Sequence, residues 1–488
     1  MDTKLECPKD MQFKNNFMIR FILPFFMLLS QILVAQNAQT YLEKNRDNEA
    51  ALTAFFTQMP KGGDLHHHYG GAIYAEPLLE RAIKEDFYLN METLGVSRQK
   101  SDEGNWERFS DLQKKGLIYK FKQQIMQKWS IKDFNGVDYP PDKLFFETFD
   151  KLWPAAADNY KEGMTEIKNR AIIENVSYIE TQFGIIPQRL DLSKLQYQTQ
   201  ALRNAANRHD EKTVYSILDT IFVAIESQNP SQYAHDYNEN FVRRLHEELQ
   251  IDDSLFTMRY QNFVLRFFQP VDLFANLVVS FISANTSPLI AGVNIVAPED
   301  GETTLKDYEL QMMMFNYCHK RYPKVKYSMH AGELTLGSVM PEDLSFHIRS
   351  AVMTANANRI GHGIDIGYET NSYQTLKMMA TRKIPVEINL SSNEFILSVK
   401  ENRHPILLYK QFGVPLVIST DDAGILRTNL TEQFVLLAKR YPNITYTDIK
   451  QYVFNSIEYS FIQDENIKKR LLKDVKTRFE QFESNFTK

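Results

Sequence analysis

The sequence has few cysteines: among its 488 residues there are two, Cys7 and Cys318. Cys7 lies in or before an amino-terminal segment that we expect to be removed, so the mature chain keeps Cys318 alone and forms no internal disulfide. A lone cysteine also excludes a Cys-x-x-Cys metal site and a disulfide-rich secreted scaffold. The fold must therefore be stabilised by its core, for which a chain that is 43% hydrophobic has ample material.

Basic clusters and long apolar runs are scarce as well. The formal net charge is -5, and no run of lysine and arginine stands out, so nucleic acid is not an expected partner. The apolar stretch 21–35 follows Arg20, ends in the small residue Ala35 and is too short to span a bilayer comfortably. This pattern is typical of a secretory signal peptide, with an uncleaved anchor as the alternative. We expect 1–35 to be removed and the protein to be secreted or periplasmic, without a stable membrane anchor.

Short β-rich runs alternate with helical patterns along the rest of the chain. A helical lead-in at 36–60, with apolar positions at Leu42, Leu52 and Phe55 among others, precedes them. The runs lie at 62–69, 175–184, 257–268, 289–297, 325–333, 359–365, 385–393 and 415–422. Alternating strands and helices favour a parallel sheet, although periodicity alone supports only the α/β class. With the motifs below, we predict a (β/α)8 TIM barrel over 61–488, with helical insertions after strands 1 and 2 and a carboxyl-terminal helical tail.

Two connections, 72–174 and 185–256, are too long for a single crossover helix. In a barrel the segment that follows a strand leaves from the active-site face, so we expect part of 72–174 to form a lid. This insertion is rich in aromatic residues. For each of them a place in the core is the alternative: Trp106, Trp129, Phe145, Phe146, Phe149 and Trp153.

Three consecutive histidines, His66, His67 and His68, stand just before two glycines. If this stretch is a strand, side chains alternate between its faces, so His66 and His68 point to one side and His67 to the other. Two imidazoles on one side are well placed to bind one metal ion, whereas a solvated, histidine-rich turn is the alternative. On the metal interpretation, His67 should tolerate replacement by an apolar residue.

Titratable residues also stand at the carboxyl ends of later predicted strands, where a barrel keeps its active site. His330 and Glu333 follow the fifth strand, His362 lies between two glycines after the sixth, and Asp421 and Asp422 follow the eighth. A set of this kind at strand ends indicates a functional site.

A catalytic zinc takes histidine nitrogens and a carboxylate oxygen and keeps one position open for water. His66, His68, His330 and Asp421 supply such a set, and a bound zinc lowers the pKa of water to about 7. The site then still needs a proton donor and groups that orient the hydroxide and the substrate. The residues left for these duties are Glu333, His362 and Asp422.

Four motifs in this order resemble the adenosine deaminase family: MPKGGDLHHHYGGA at 59–72, MHAGE at 329–333, RIGHGID at 359–365 and STDDAG at 419–424. The MPKG start, the signal peptide and the long insertions are similar to the secreted, growth-factor-like branch of that family. The resemblance implies hydrolytic deamination of adenosine and 2′-deoxyadenosine to the inosine product and ammonia. It further implies a homodimer, paired through the lead-in.

The resemblance assigns roles residue by residue. His66, His68, His330 and Asp421 would hold one Zn²⁺ per subunit. Glu333 would protonate purine N1, His362 would position and assist the hydroxide that attacks C6, and Asp422 would accept a hydrogen bond from the water or hold purine N7. Asp422, Ala297, Glu299 and Gly332 would form the substrate site, with the backbone N–H of Ala297 facing purine N3.

Two positions depart from the family pattern. Gly70 stands where the intracellular branch has an aspartate that contacts the ribose, and Ala297 stands where the family has a glycine. These departures keep open a related amidohydrolase that acts on another amino-purine or on an amide. A secreted binding or signalling protein that uses the barrel as a scaffold is a third hypothesis, but such a protein would be expected to have lost site residues.

Overall fold

A computed structural model describes residues 37–137 and 139–486 of the chain. The predicted signal peptide, 1–35, lies outside the described residues. Within the described part of the chain, no helix is long and apolar enough to cross a membrane.

Eight parallel strands form the centre of the protein, and each pairs with the next one along the chain. The strands are β1 (Gly62–His68), β2 (Val176–Gly184), β3 (Thr257–Leu265), β4 (Ile290–Val296), β5 (Lys326–Ala331), β6 (Arg359–His362), β7 (Val386–Ile388) and β8 (Leu416–Ile418). A parallel bridge between His67 and Asp421 joins β1 to the segment after β8, so that the barrel is nearly closed. The predicted (β/α)8 barrel is confirmed, and each of the eight predicted runs contains one of these strands.

Helices surround the barrel and form both long insertions and the carboxyl-terminal tail. Besides a helical segment at 37–44, the α-helices are Glu49–Gln58, Tyr69–Ala72, Ala75–Lys84, Phe109–Lys114, Ile118–Lys128, Pro141–Ala156, Tyr160–Ile173, Gln198–Ala206, Glu211–Glu226, Pro230–His235, Arg244–Glu248, Pro270–Thr286, Glu302–Arg321, His347–Met353, Ser372–Arg382, Leu390–Leu397, Ile406–Phe412, Leu430–Arg440, Tyr446–Glu458 and Glu465–Ser484. Short 3₁₀ helices lie at Ser193–Leu195, Asp343–Ser345, Ile364–Gly367 and Glu401–Arg403, and a π-helix spans Asp236–Arg243.

The first insertion also contains a small antiparallel sheet that the sequence analysis missed. Its strands are Tyr88–Asn90, Val96–Ser97 and Trp106–Arg108. Strands of two or three residues are too short to show a periodic pattern. The aromatic residues of this insertion divide between the two predicted roles: Trp129 is fully buried in the core, whereas Trp153 is half exposed.

The lead-in packs on the carboxyl-terminal tail of the same chain. The ring of Phe55 lies 5.0 Å from that of Phe482 and 6.1 Å from that of Tyr446, centroid to centroid. Leu52 and Phe55 are buried, as their positions in the apolar pattern predict. This apolar face is therefore used within the chain, and pairing of two subunits through the lead-in stays a prediction.

Candidate active site

The four predicted metal ligands meet at the carboxyl-terminal end of the barrel. The Nε2 atom of His68 lies 3.3 Å from Nε2 of His66, 3.2 Å from Nε2 of His330 and 3.3 Å from Oδ1 of Asp421. His66 Nε2 lies 3.6 Å from the same aspartate oxygen. Because β1, β5 and the start of the loop after β8 end at one rim, ligands far apart in sequence reach a single point.

The donor set fits a bound cation. The other ring nitrogen of His66, Nδ1, lies 2.7 Å from Oε2 of Glu387. Nδ1 of His330 lies 3.1 Å from Oδ1 of the Asn294 side chain. Each ring N–H is used in that contact, so the Nε2 atoms face one another as lone pairs, an arrangement that a shared cation stabilises. Three imidazole nitrogens and one carboxylate oxygen are the ligands that zinc takes in catalytic sites.

The pKa shifts of the histidines in the cluster also favour a bound cation. Burial lowers the pKa of His68 to about 4 and that of His330 well below its usual value, so both rings are neutral and can bind a metal. Burial also opposes protonation of His66, but its hydrogen bond to Glu387 and the charge of Asp421 outweigh it and raise the pKa of His66. The carboxylates therefore favour positive charge at this point, which a metal ion supplies.

A hydrogen-bonded chain of buried polar groups runs beneath the cluster, starting at His66. Glu387 accepts from His66 through Oε2 and, through Oε1, from Arg359 Nε at 2.5 Å and Ser328 Oγ at 2.9 Å. Arg359 also donates to Glu180 at 2.5 Å. Glu387, Arg359 and Glu180 are all inaccessible to solvent. The buried guanidinium of Arg359 thus lies between the buried carboxylates of Glu387 and Glu180. Glu387 also orients His66, a predicted metal ligand.

The same chain of contacts returns to the cluster at His330. Glu180 accepts from Gln261 Nε2 at 2.7 Å, and Gln261 accepts from Asn294 Nδ2 at 3.3 Å. Asn294 then accepts from Nδ1 of His330. Residues of β2, β3 and β4 therefore belong to one hydrogen-bonded chain that helps to orient two predicted metal ligands, His66 on β1 and His330 on β5. No local sequence pattern marks the residues of this chain of contacts, because the contacts join strands that are far apart in sequence.

Glu333 lies beside the cluster with a side chain that is only 12% exposed, and its Oε1 is 3.5 Å from Nδ1 of His362. Burial, followed by the negative charge of Asp421, raises the pKa of Glu333 well above its usual value. This shift favours the protonated form of the carboxyl group, which is the form that a proton donor requires.

Glu299 and Gly332, predicted to lie at the substrate, are not among the residues that line the cavity described below. The Glu299 carboxylate is buried behind the loop and accepts the backbone N–H groups of Gly332 at 2.9 Å and Glu333 at 3.0 Å. Gly332 has a φ of 73°, and a Cβ there would lie 2.3 Å from Oδ1 of Asp365. Both residues shape the loop that carries Glu333, and their contact with the substrate stays a prediction.

His362 is held with one nitrogen free. Asn393 Nδ2 lies 2.9 Å from Nδ1 of His362, so the ring proton is on Nε2, which has no partner and is 3.8 Å from Oδ2 of Asp421. Burial lowers the pKa of His362 to about 3, and the ring is neutral. Its backbone φ of 66° is in the left-handed region, a strained conformation of the kind that clusters at active sites.

Asp422 faces the cavity with Oδ1 unpaired. Burial and the neighbouring charge of Asp421 raise its pKa well above the usual range, which favours the protonated form of the carboxyl group. Gly71 is required beside it, because a Cβ at that position would lie 1.7 Å from Oδ1 of Asp422. Ala297 also lines the cavity, and its φ is 91°, a conformation that glycine adopts without strain.

His67 points away from the cluster, as the strand pattern predicts. It is buried on the outer face of β1, where Nδ1 lies 2.9 Å from the Thr181 hydroxyl. Its tolerance of an apolar residue stays a prediction, and the structure adds that a replacement must fill a closed space.

A cavity of about 1010 Å³ opens above the cluster. The first insertion contributes Phe145, Phe149 and Trp153 to its wall through the helix Pro141–Ala156, where the sequence analysis expected a lid, and the second contributes Tyr237 and Phe241. Among the described residues that line it there is no lysine or arginine.

Two further lining residues, Gln182 and Tyr237, were not found from the sequence. Gln182 Nε2 lies 3.2 Å from Nε2 of His68. Its place at the end of β2 follows the strand-end rule that identified the ligands, but glutamine was not among the residue types sought. Tyr237 lies in an insertion, and nothing in the local sequence singles it out.

A (β/α)8 barrel with histidines on β1 and β5 and an aspartate after β8 at one point resembles the metal-dependent amidohydrolase type. Residues 274–478 match the family model described as adenosine deaminase. This part of the chain is therefore similar to the adenosine deaminase family.

Comparisons with individual proteins agree with this assignment. The adenosine deaminase of Clostridium perfringens (strain ATCC 13124) is 30% identical over 165 residues, which is 34% of this chain and 45% of the relative. That of Clostridium kluyveri is 32% identical over 143 residues, or 29% of this chain and 38% of the relative. The chain thus matches less than half the length of these curated relatives.

Solved structures share the fold at low sequence identity. The N6-methyl-AMP deaminase of Arabidopsis thaliana superposes with a TM-score of 0.54 at 17% identity, covering 88% of this chain and 99% of the other. An adenine deaminase of Arthrobacter aurescens gives a TM-score of 0.52 at 16% identity, with 86% and 99% covered.

Proposed function

We propose that the protein is a zinc-dependent hydrolase that deaminates adenosine, and 2′-deoxyadenosine, with water to give the inosine product and ammonia. The observation that carries this proposal is the buried Glu333 carboxyl, with its raised pKa, beside the cluster of three histidines and an aspartate at the floor of the cavity. An acid next to a metal-binding set is what the addition of water to a purine requires.

The residues divide the chemistry between them. His66, His68, His330 and Asp421 would hold the zinc ion, which when bound supplies a water molecule that ionises near neutral pH. Glu333 donates its proton to purine N1, and this makes C6 electrophilic. The free Nε2–H of His362 orients the attacking oxygen, and protonated Asp422 donates a hydrogen bond to purine N7. The backbone N–H of Ala297 faces N3. Of the two protons of the water molecule, one leaves with the amine of C6 as ammonia and the other restores the Glu333 carboxyl, so one water molecule is consumed.

The cavity favours a nucleoside over a nucleotide. Related folds include an N6-methyl-AMP deaminase and a protein crystallised with GMP, whose ligands carry a phosphate. Here the described lining residues contain no lysine or arginine, whereas Asp150, Asp158 and Asp236 are among them. A phosphate dianion would meet carboxylates without a balancing cation, which disfavours binding. We therefore expect kcat/KM for AMP to be at least a hundredfold below that for adenosine.

The decisive experiment is the Glu333→Gln variant, assayed for ammonia release and for the absorbance loss at 265 nm as adenosine becomes inosine. We expect the zinc content to be unchanged and kcat to fall by about 10² to 10⁴, the usual contribution of a general acid. Full activity in this variant would remove the acid role from Glu333.

A related amidohydrolase activity on another amino-purine or on an amide is the second candidate, and the departures at Gly70 and Ala297 favour keeping it. A panel of adenosine, adenine, guanosine and simple amides, followed by ammonia release, separates the two. Preference for any substrate other than adenosine or its 2′-deoxy form would support the second candidate.

We also propose that the protein is secreted or periplasmic, on the strength of the signal-like pattern in 1–35. Amino-terminal sequencing of protein recovered outside the cytoplasm should begin near residue 36. An intact start at Met1 or Met18 would contradict cleavage.

A further inference from the structure

The position where the intracellular branch of the family has a sugar-contacting aspartate carries no carboxylate in this protein. It is occupied by Gly70, and a Cβ built there would lie 3.2 Å from Cζ3 of Trp153. The Trp153 indole, contributed by the first insertion, packs close to Gly70 and would have to shift slightly for a side chain there. The sugar of a nucleoside must therefore meet other polar groups.

The phenol of Tyr237 is a buried polar group without a partner. Tyr237 is 6% exposed, its hydroxyl makes no hydrogen bond, and it lines the cavity. A buried hydroxyl without a partner costs free energy, which a bound ligand can recover. Tyr237 lies in the π-helix Asp236–Arg243, and π-helical turns occur frequently at functional sites. Its ring is fixed by Phe241, 5.5 Å away between centroids.

Gln182, which also lines the cavity, carries a second unpartnered polar atom. Its side-chain carbonyl oxygen is buried and makes no hydrogen bond, whereas its amide nitrogen lies 3.2 Å from Nε2 of His68. The pairing of β2 with β3 shifts between Gln182 and Gly184, and bulges of this kind redirect side chains at barrel rims.

The two groups lie at different distances from the metal cluster. The Tyr237 hydroxyl is 3.5 Å from the place a Cβ on Gly184 would occupy, whereas Gln182 contacts a predicted ligand. Gln182 and Gly184 are two positions apart on β2, a distance of roughly 6 to 7 Å along the strand. In a purine nucleoside the sugar is attached at N9, on the ring remote from C6. With C6 at the cluster, the sugar would lie farther from the metal ligands than the reacting atom does, and Gly184 and Tyr237 line the cavity beyond Gln182.

We propose that Tyr237 and Gln182 form the subsite for the sugar hydroxyls, replacing the carboxylate that Gly70 lacks. This inference rests on the proposed function, since it takes a nucleoside with C6 at the metal as the ligand. The phenol donates to a sugar oxygen, and the Gln182 carbonyl accepts from a sugar hydroxyl nearer the cluster. Both are specificity-determining residues rather than participants in the bond changes at C6.

The test uses the zinc-loaded full chain with inosine, the expected product, and hypoxanthine, which is the same base without a sugar. Calorimetry of Tyr237→Phe should show the Kd for inosine raised about tenfold, the value of one hydrogen bond, with the Kd for hypoxanthine unchanged. Gln182→Met should behave in the same way. Tyr260→Phe is the matched control, because the Tyr260 hydroxyl is buried and bonded to His246 at 2.9 Å and does not line the cavity.

Deoxy-inosines identify the hydroxyl that each group contacts. One of the 2′-, 3′- and 5′-deoxy compounds should bind wild type and Tyr237→Phe equally, because it lacks the partner of the phenol. With adenosine, Tyr237→Phe should raise KM about tenfold and change kcat by less than about twofold. The inference is overturned if Tyr237→Phe weakens inosine and hypoxanthine equally, if it weakens neither, or if all three deoxy compounds keep the full difference.

The outcomes also separate this inference from the proposed function. Ammonia release from adenosine with no effect of Tyr237→Phe leaves the function standing and removes the subsite. If inosine binding depends on the sugar and on Tyr237 but no ammonia is released from adenosine, the subsite stands and the proposed function is removed. Failure of wild type to bind inosine overturns the subsite, and ammonia release from adenosine then decides the function separately.

Discussion

The imidazole of His66 and the carboxylate of Glu387 form a hydrogen bond of 2.7 Å with neither side chain accessible to solvent. Burial disfavours the charge on Glu387, but Arg359 and His66 outweigh it and lower its pKa to about 2. The carboxylate therefore stays ionised and keeps the ring proton of His66 on Nδ1, so that Nε2 faces the other ligands. A hydrogen bond of this type orients a metal ligand and raises its basicity.

The first prediction concerns metal retention. Glu387→Gln keeps the shape of the side chain but removes its charge, and we expect zinc affinity to fall by about 10- to 100-fold. Competition with a chromophoric chelator measures the affinity directly. Asp307→Asn is the control, because Asp307 forms an ion pair with Arg203 at 2.6 Å in the outer helical layer, away from the cluster. Equal metal affinity in wild type and Glu387→Gln would show that the contact is structural only.

The second prediction concerns the pH dependence of catalysis. Glu333 acts in its protonated form, and its pKa is raised by burial first and by negative neighbours, including Asp300, after that. Removing the Asp300 charge makes ionisation of Glu333 easier and lowers its pKa. In Asp300→Asn the decline of kcat/KM at high pH should therefore begin at lower pH than in wild type. A decline that is unmoved, or moved to higher pH, would contradict the assignment.

The third prediction concerns stability at the seam of the barrel. Asp64 on β1 accepts from the Thr420 hydroxyl at 2.5 Å, and burial raises the pKa of Asp64 to about 7. The folded protein thus holds this proton more tightly than the unfolded chain, where the carboxyl titrates near pH 4. The stabilisation from this proton is complete below about pH 4 and is lost as pH rises through about 7.

Asp64→Asn cannot titrate, so the difference in free energy of unfolding between wild type and this variant should change with pH over that window. We expect wild type to lose up to about 4 kcal/mol relative to Asp64→Asn between pH 4 and pH 8. Urea unfolding at several pH values measures the difference. A constant difference across the window would mean that Asp64 is ionised in the folded protein.

The fourth prediction concerns the strained end of β4. Ala297 has a φ of 91°, which costs a residue with a Cβ about 1 to 3 kcal/mol. Ala297→Gly relieves this strain at an entropic cost of about 0.5 to 1 kcal/mol. We expect a net gain in the free energy of unfolding of about 1 kcal/mol, seen in thermal or urea unfolding, with activity retained because the backbone N–H remains.

Gly332→Ala is the matched opposite. At a φ of 73° and with a Cβ 2.3 Å from Oδ1 of Asp365, the added methyl should destabilise the protein and displace the Glu333 loop. A stabilising effect of Gly332→Ala, or a destabilising effect of Ala297→Gly, would count against the strain described at these positions.

The amino-acid sequence by itself determined the positions of the eight strands and the residues at their ends. His66 and His68 share a face because side chains alternate along a strand, and His330 and Asp421 join them because parallel strands end at one rim. These are local rules of backbone geometry, so they hold before any long-range contact is known.

Only the tertiary structure decided what surrounds those residues. The link from His66 through Glu387, Arg359 and Glu180 joins strands that lie far apart in sequence, and no local pattern records it. The same holds for Glu299, whose carboxylate accepts the backbone N–H groups of Gly332 and Glu333. It also holds for Tyr237, which an insertion brings to the cavity. The raised pKa of Glu333 has a related cause, because burial and neighbouring charge are properties of the packed molecule, not of the residue type.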